Sequence, residues 1–413
     1  MIKRRVVITG MGAITPIGHT LEEVWDSVEN AKCAIDFIER INVDDLDVRI
    51  AAEVKGFDPL DYVDKKAAKR MDRTNQFAVA AAKKAMEDSG LNIEEMKPER
   101  VGIMVSSGIG GIETIETEHL KALKRSYNRM SPFFVPMIIG NLNAALIAIE
   151  IGAHGVCQDP VTACAGGNNA IGDAFRAIKD GYQDVVLCGG SEANITHLGM
   201  GGFISMKALN TSNNPKRASI PFDKEREGFV MGEGSALLVL EELEQAKARG
   251  AKIYGEIVGY GHTNDANHIT APNPEGKWAA RAMEMAMEEA GINPSDIDYI
   301  NAHGTSTPLN DKSETIAVKR AFGDEAYNVK MSSTKAMTGH LLGASGAIEA
   351  VITTLAINKG FVPPTINYQV PDEECDLDIV PNKGLKQDIH YAMSNALGFG
   401  GHNISIIFKE WKE

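Results

Sequence analysis

Apolar residues fall along this chain in two alternating rhythms. Short runs rich in β-branched residues at 5–8, 101–105, 184–188 and 235–240 predict strands in the first part, and 256–259, 299–301, 329–332 and 404–408 do so in the second. Between them, 74–89, 277–290 and 313–322 repeat apolar residues at helical spacing and predict amphipathic helices. Glycines at 90, 181, 250, 291 and 360 close helical segments. Strand, helix, strand alternation of this kind implies an α/β protein in layers.

The second part restarts the first. A glycine-punctuated strand opens each, at 6–12 and 256–261, an Ala-rich helix ending in Gly90 or Gly291 follows, and each part carries a Gly/Ala-rich helix, at 166–179 and 343–358. The repeat lies in the pattern rather than in identities, and predicts two tandem halves, 1–250 and 251–413. The most apolar long stretch, 137–153, is interrupted by Asn141, Asn143 and Glu150. It falls short of the ~18–20 clean residues a membrane span requires and reads as a buried helix.

Composition narrows the function. The chain has 413 residues, with 56 Asp and Glu against 42 Lys and Arg, a formal net charge of −14. That balance argues against a nucleic-acid binder, which needs a basic footprint. Lys3, Arg4 and Arg5 precede an apolar run too brief for a signal peptide. Five cysteines, at 33, 157, 164, 188 and 375, contain no Cys-x-x-Cys pair, which disfavours both a disulfide framework and a structural zinc site. A cytoplasmic protein is expected.

Four segments carry the candidate chemistry. Cys164, in Val161-Thr-Ala-Cys-Ala-Gly-Gly167, stands at the entry of a predicted helix, where the positive end of the macrodipole and free N–H groups favour a thiolate. Cys33, Cys157, Cys188 and Cys375 read as buried structural cysteines. His303, in Asn301-Ala-His-Gly-Thr-Ser-Thr-Pro308, and His340, five residues after Lys335, both follow strand ends. Two imidazoles, an ammonium and a thiol suit proton transfer and oxyanion stabilisation. The stretch 395–403 is a glycine loop that matches no nucleotide-binding pattern and presents one aromatic, Phe399.

These segments, with Val6-Val-Ile-Thr-Gly-Met-Gly12, Ser107-Gly-Ile-Gly-Gly111, Ser131-Pro-Phe-Phe-Val-Pro136, Pro221-Phe-Asp223 and Gly228-Phe-Val-Met-Gly-Glu-Gly234, occur in one order along the whole chain. In that order they resemble the elongating β-ketoacyl-acyl carrier protein synthases of fatty-acid synthesis, in the synthase II subtype. The resemblance implies a thiolase-like fold, two βαβαβαββ-type halves in an αβαβα arrangement, assembled as a homodimer. It implies an acyltransferase in which Cys164 takes an acyl group from acyl carrier protein, the N–H groups of Cys164 and Phe399 forming the oxyanion hole. His303 and His340 would then hold the enolate left when malonyl-acyl carrier protein loses CO2.

By the same resemblance Lys335 organises a network with Glu349 and Asp311, and Phe399 gates the cleft. Thr270, Thr305, Thr307 and Gly400 contact the substrate arm, and Ile109 and Phe134 line the acyl pocket near the dimer interface. No cofactor is required, although relatives hold a cation, Na+ or K+, near Asn301, Glu349, Ser394 and Asn395. Two positions depart from the family: Gly166 stands in place of Thr or Ser, and Asn310 in place of Gly.

Acyl carrier proteins are acidic. The cations at Lys65, Lys69 and Arg73, spaced as one helical flank with Lys66 and Arg70, are therefore expected to dock the carrier, as are Lys124, Arg125 and Lys207. Three other readings stay open: a ketosynthase of a type II polyketide-like pathway, a non-catalytic chain-length partner, and a thioester hydrolase. Retention of Cys164, His303, Lys335 and His340 weighs against the last two.

Overall fold

Every position of Val6–Ile14 is buried, so this strand, β1, must be covered on both faces. The computed structural model describes residues 4–412, which leaves Lys3 of the basic triplet outside the described residues. In it β2 (Val101–Ser106), β3 (Cys157–Gln158), β4 (Val185–Glu192) and β5 (Gly234–Glu242) join β1 in a set ordered β3-β2-β4-β5-β1. A second set comprises β6 (Gly255–Asn264), β7 (Tyr299–Asn301), β8 (Lys330–Ser332), β9 (Tyr391–Gly398) and β10 (His402–Lys409). Its order, β8-β7-β9-β10-β6, repeats the first strand for strand.

Strand directions repeat as well. The pairs β2–β4 and β7–β9 are parallel, whereas β4–β5 and β9–β10 are antiparallel. The sets meet where Val6, Val7 and Ile8 pair with Ile257, Glu256 and Gly255. The first set ends at Glu242 and the second begins at Gly255, with Gly250 turning between them at φ +67.

Seven helices matter for the site: α1 (Arg73–Ser89), α2 (Ile112–Lys124), α3 (Leu142–Ile151), α4 (Gly166–Lys179), α5 (Lys277–Ala290), α6 (Pro308–Phe322) and α7 (Ser345–Lys359). Helices α4 and α7 pack on each other and touch strands of both sets, while α1 covers β1 and β5, and α5 covers β6 and β10. The result is the αβαβα layering expected. The middle helices approach backbone to backbone: a Cβ on Gly167 would stand 2.7 Å from the Ala347 nitrogen, and one on Gly346 2.7 Å from the Asn168 nitrogen.

All eight expected strand runs form strands; β3 and β9 were missed. The stretch 395–403 is a hairpin rather than a glycine loop, because 395–398 belong to β9 and only 399–401 turn. Helix α6 starts five residues before the expected 313, since Pro308 at its first position presets the helical φ. The segment 137–153 is not one buried helix. It breaks before Leu142, only Asn143, Ala144 and Ile147 of α3 are buried, and Ile149 is 77% exposed. Cys188 and Cys375 are buried as expected, but Cys33 and Cys157 are exposed, Cys157 because it lies on the edge strand β3.

The basic flank at 65–73 is also interrupted. One turn spans Lys65–Ala68, and Asp72 then caps α1 by accepting a hydrogen bond from the Thr74 N–H. Lys65 and Lys69 are exposed. Arg73 instead turns inward, with Nη2 2.7 Å from Oε1 of the fully buried Glu233. Among the described residues no helix is long and apolar enough to cross a membrane.

Candidate active site

The chain enters α4 through a strained residue. Ala163 has φ +49, a left-handed conformation that costs a non-glycine residue roughly 1–2 kcal/mol, and it aims the next side chain, Cys164, into a cleft of about 380 Å³. Cys164 is buried. Burial pushes its thiol up to about 12, while the Lys335 charge and the N–H groups of Phe399 and Cys164 itself pull in the opposite direction. Desolvation therefore works against the thiolate that the helix end favours.

His303 follows β7. Its N–H and that of Gly304 each donate, at 2.8 Å, to the carboxylate of Glu314 on α6, which fixes the backbone beneath the ring. His340 is held in a bridge with Met231: its N–H donates to the Val230 carbonyl at 2.7 Å, and its own carbonyl accepts from the Gly232 N–H at 2.9 Å. Its Nδ1 lies 2.7 Å from Oγ of Ser345, the first residue of α7. The two imidazoles meet edge to face, 5.3 Å between centroids, and the Phe229 ring stands 5.1 Å from that of His340. Burial first, and then the nearby Lys335 charge, hold both histidines well below their ordinary pKa. Both are neutral at pH 7.

Lys335 lies behind them, 1% exposed, 3.4 Å from His303 Nδ1 and ion-paired to Glu349 of α7. Burial raises Glu349 to about 7, against the pull of Lys335. At the opposite side, the turn between β9 and β10 brings the Phe399 N–H to the Cys164 sulfur. Gly400 and Gly401, at φ +87 and +79, permit that turn, and the Gly400 N–H is tied to the Ile269 carbonyl at 2.8 Å.

Cys164, His303, His340, Phe399, Thr270, Thr305, Thr307 and Lys207 thus line one cleft, joined there by Asn310. Asp311, fully buried, accepts from the N–H groups of Phe222 and Ser306 and braces the threonine loop. Ile109 and Phe134 do not line the cleft: Ile109 is exposed, and Phe134 opens a short helix beside it. Lys124 and Arg125 are exposed at the end of α2. Sequence reasoning missed Phe229, Glu314 and Ser345. Phe229 lies within Gly228-Phe-Val-Met-Gly-Glu-Gly234, and Glu314 lies three residues beyond Asp311, close to one helical turn.

Asn301 and Ser394 are register partners on β7 and β9. The Asn301 Oδ1 and Glu349 Oε2 atoms are buried with no hydrogen-bond partner, and the Asn301 amide is 3.5 Å from the Glu349 carbonyl. Among the described residues no three His, Cys, Asp or Glu side chains group as metal ligands.

Comparison with known proteins finds the β-ketoacyl synthase N-terminal domain at residues 3–246 and its C-terminal domain at 254–369. The chain is 52% identical to the 3-oxoacyl-[acyl-carrier-protein] synthase 2 of Synechocystis sp. over 99% of each, and 50% identical to that of Staphylococcus aureus over 99% of each. Among solved structures, it resembles a type II polyketide ketosynthase in complex with its acyl-carrier protein, with a TM-score of 0.92 and 34% identity over 99% of this chain and 100% of that one. A β-ketoacyl synthase from Burkholderia phymatum aligns with a TM-score of 0.90 and 34% identity over the same shares.

Proposed function

The chain belongs to the β-ketoacyl synthase family, and on that premise we propose that it elongates acyl chains in fatty-acid synthesis. The reaction is the condensation of malonyl-acyl carrier protein with an acyl group held on Cys164, giving 3-oxoacyl-acyl carrier protein and CO2. The observation that carries this reading is the convergence of Cys164, His303, His340 and the Phe399 N–H in one cleft. The higher identity to fatty-acid synthases than to the polyketide structures, 52% against 34%, supports it over the polyketide alternative.

In the first half-reaction the Cys164 thiol attacks the carrier thioester and its proton passes to a neutral histidine of the pair. The oxyanion forms against the N–H groups of Cys164 and Phe399, and the carrier thiol leaves with a proton. Malonyl carrier then enters and the bond to its carboxylate breaks. CO2 departs, and the electron pair delocalises onto the thioester oxygen, which His303 and His340 stabilise by hydrogen bonding. The resulting carbanion attacks the Cys164 thioester, and the sulfur leaves as a thiolate that takes up a proton from solvent. Electron pairs move only between carbon, oxygen and sulfur, so no redox cofactor is called for. Covalent capture divides one difficult step into two easier ones.

Thr270, Thr305 and Thr307 line the approach to Cys164 and are proposed to grip the substrate arm. Exposed Lys65, Lys69, Lys124 and Arg125, with Lys207 at the cleft, are proposed to dock the carrier. The polyketide relative's complex with its own acyl-carrier protein supports a carrier partner. Exposed Ile109, Val135, Ile139, Ile149 and Val156, next to the edge strand β3, support a homodimer in which Ile109 and Phe134 border the acyl pocket. The orphaned Asn301 and Glu349 oxygens, with Ser394 and Asn395 adjacent, fit a Na+ or K+ ion, which would neutralise buried oxygen dipoles there.

Acyl-carrier thioester and malonyl-carrier, supplied together, should yield Cys164 acylation, CO2 and a 3-oxoacyl product. A Cys164→Ala protein that still condensed would overturn the mechanism.

A further inference from the structure

Gly166, the first residue of α4, has φ −59 and ψ −41, ordinary helical values that any amino acid adopts. Glycine here is thus not required by backbone conformation, and at a helical position it costs about 1 kcal/mol relative to alanine. What excludes a side chain is a neighbour. A Cβ on Gly166 would stand 2.0 Å from Ser106 Oγ and 2.9 Å from Ser106 Cβ. Ser106, fully buried at the end of β2, donates from that hydroxyl to the Pro160 carbonyl at 2.8 Å.

Pro160 begins the segment that leads through Thr162 and strained Ala163 to Cys164. The next residue, Ser107, donates its N–H to Asp159 Oδ1 at 3.1 Å, so the last residue of β2 and the one after it hold the consecutive residues Pro160 and Asp159. The left-handed Ala163 needs such anchoring, because a strained conformation persists only where its surroundings determine it. We propose that Ser106 is the positioning residue of the nucleophile turn, and that Gly166 is glycine in order to admit its hydroxyl. The two positions act as one unit. Ser106 reaches across from β2 to supply the polar contact that α4's own first residue, lacking a side chain, does not.

This inference rests on Cys164 as the acyl acceptor, and the experiment separates the two. Single-turnover acylation of Cys164 from an acyl-carrier thioester, its pH profile, and the carrier KM are measured for the wild type, Ser106→Ala, Ser106→Gly, Gly166→Ser, and the double variant Ser106→Gly/Gly166→Ser. A wild type that takes no acyl group defeats the nucleophile assignment itself.

Given an acylated wild type, Ser106→Ala removes only the hydroxyl and should fold. Its acylation rate should fall about three- to tenfold, the worth of one buried hydrogen bond expressed at the turn, with carrier KM unchanged. Gly166→Ser should lose about a hundredfold, as displacements of an ångström at a reacting group do. In the double variant the new hydroxyl occupies the vacated space and should recover at least tenfold of that loss, whereas additive single effects would deepen it. Ser106→Ala acylating at the wild-type rate and pH profile, or single effects that simply add in the double variant, would overturn the proposal.

Discussion

The Lys335 ammonium lies 3.4 Å from Nδ1 of His303. An ammonium has only donors, so Nδ1 must present its lone pair, and the single proton of the neutral ring sits on Nε2. Lys335 thereby fixes the tautomer that can donate to a developing enolate oxygen. Lys335→Ala should lower CO2 release from malonyl carrier about 10- to 100-fold with little change in carrier KM, since tautomer and charge act on the transition state rather than on docking. Removing Lys335 also strands the Glu349 carboxyl. The single variant should lose about 3–5 kcal/mol of stability, and Lys335→Met with Glu349→Leu far less, as read by denaturant unfolding.

A second expectation concerns the nucleophile. With the Cys164 thiol pushed up to about 12, its alkylation by iodoacetamide should rise about tenfold per pH unit from pH 6 to 9 without a plateau. Lys335 favours the thiolate, so Lys335→Ala should slow alkylation at every pH in that range. A plateau below pH 8 would show a thiolate already formed.

Carrier docking divides the cations. Lys65→Glu/Lys69→Glu should raise the carrier KM about three- to tenfold at low salt, with the effect shrinking as ionic strength rises. An unchanged KM would discard docking at that patch. Arg73→Ala should leave KM nearly alone and cost about 2–3 kcal/mol, because it removes one of the two arginines, Arg40 being the other, that pair with buried Glu233.

Folding stability should depend on pH in two opposed ways. Below its ordinary pKa of 6.5 each histidine is protonated when unfolded but stays neutral when folded, so His303 and His340 subtract stability as pH falls. Glu192, Glu314 and Glu349, raised by burial from 4.5 to about 7, hold protons in the folded state that the unfolded chain releases, so they subtract stability as pH rises through that window. Glu192→Gln removes one opposing contribution. Its stability should fall more steeply than wild type between pH 7 and 5, by up to about 1.4 kcal/mol per pH unit in urea unfolding series.

The exposed apolar face around α3 predicts self-association. Ile149→Asp, at a side chain 77% exposed, should weaken a homodimer by at least about tenfold in sedimentation equilibrium while leaving the monomer's fold intact. An unaltered dimer would place the interface elsewhere.

Much of the site was legible because its residues sit where periodic segments stop. Cys164 opens a helix, His303 follows a strand end and His340 follows the one-turn helix 335–338, so glycines and hydroxyls gather in the sequence around them. Strand β9 was hidden because Ser394 and Asn395 put buried polar groups where alternation predicts apolar ones. The Lys65 to Arg73 flank misled because cation spacing continues across Asp72, whose capping bond starts a new helix. The Lys335–His303 contact joins positions 32 residues apart, and the left-handed Ala163 bears no local mark, since alanine ordinarily avoids that conformation.

The close approach of α4 and α7 bears on how the sequence can change. At Gly167 and Gly346 each helix excludes even a methyl group, because the other's backbone occupies that space. α4 carries the turn of Cys164, and α7 supplies Ser345 to His340 and Glu349 to Lys335. Any side chain that wedges the helices apart therefore also separates the nucleophile from the histidine pair. The two halves repeat one strand order, yet neither can be exchanged, lengthened or repacked at this seam without the other, and variation tolerated by the outer layers is barred from the middle one.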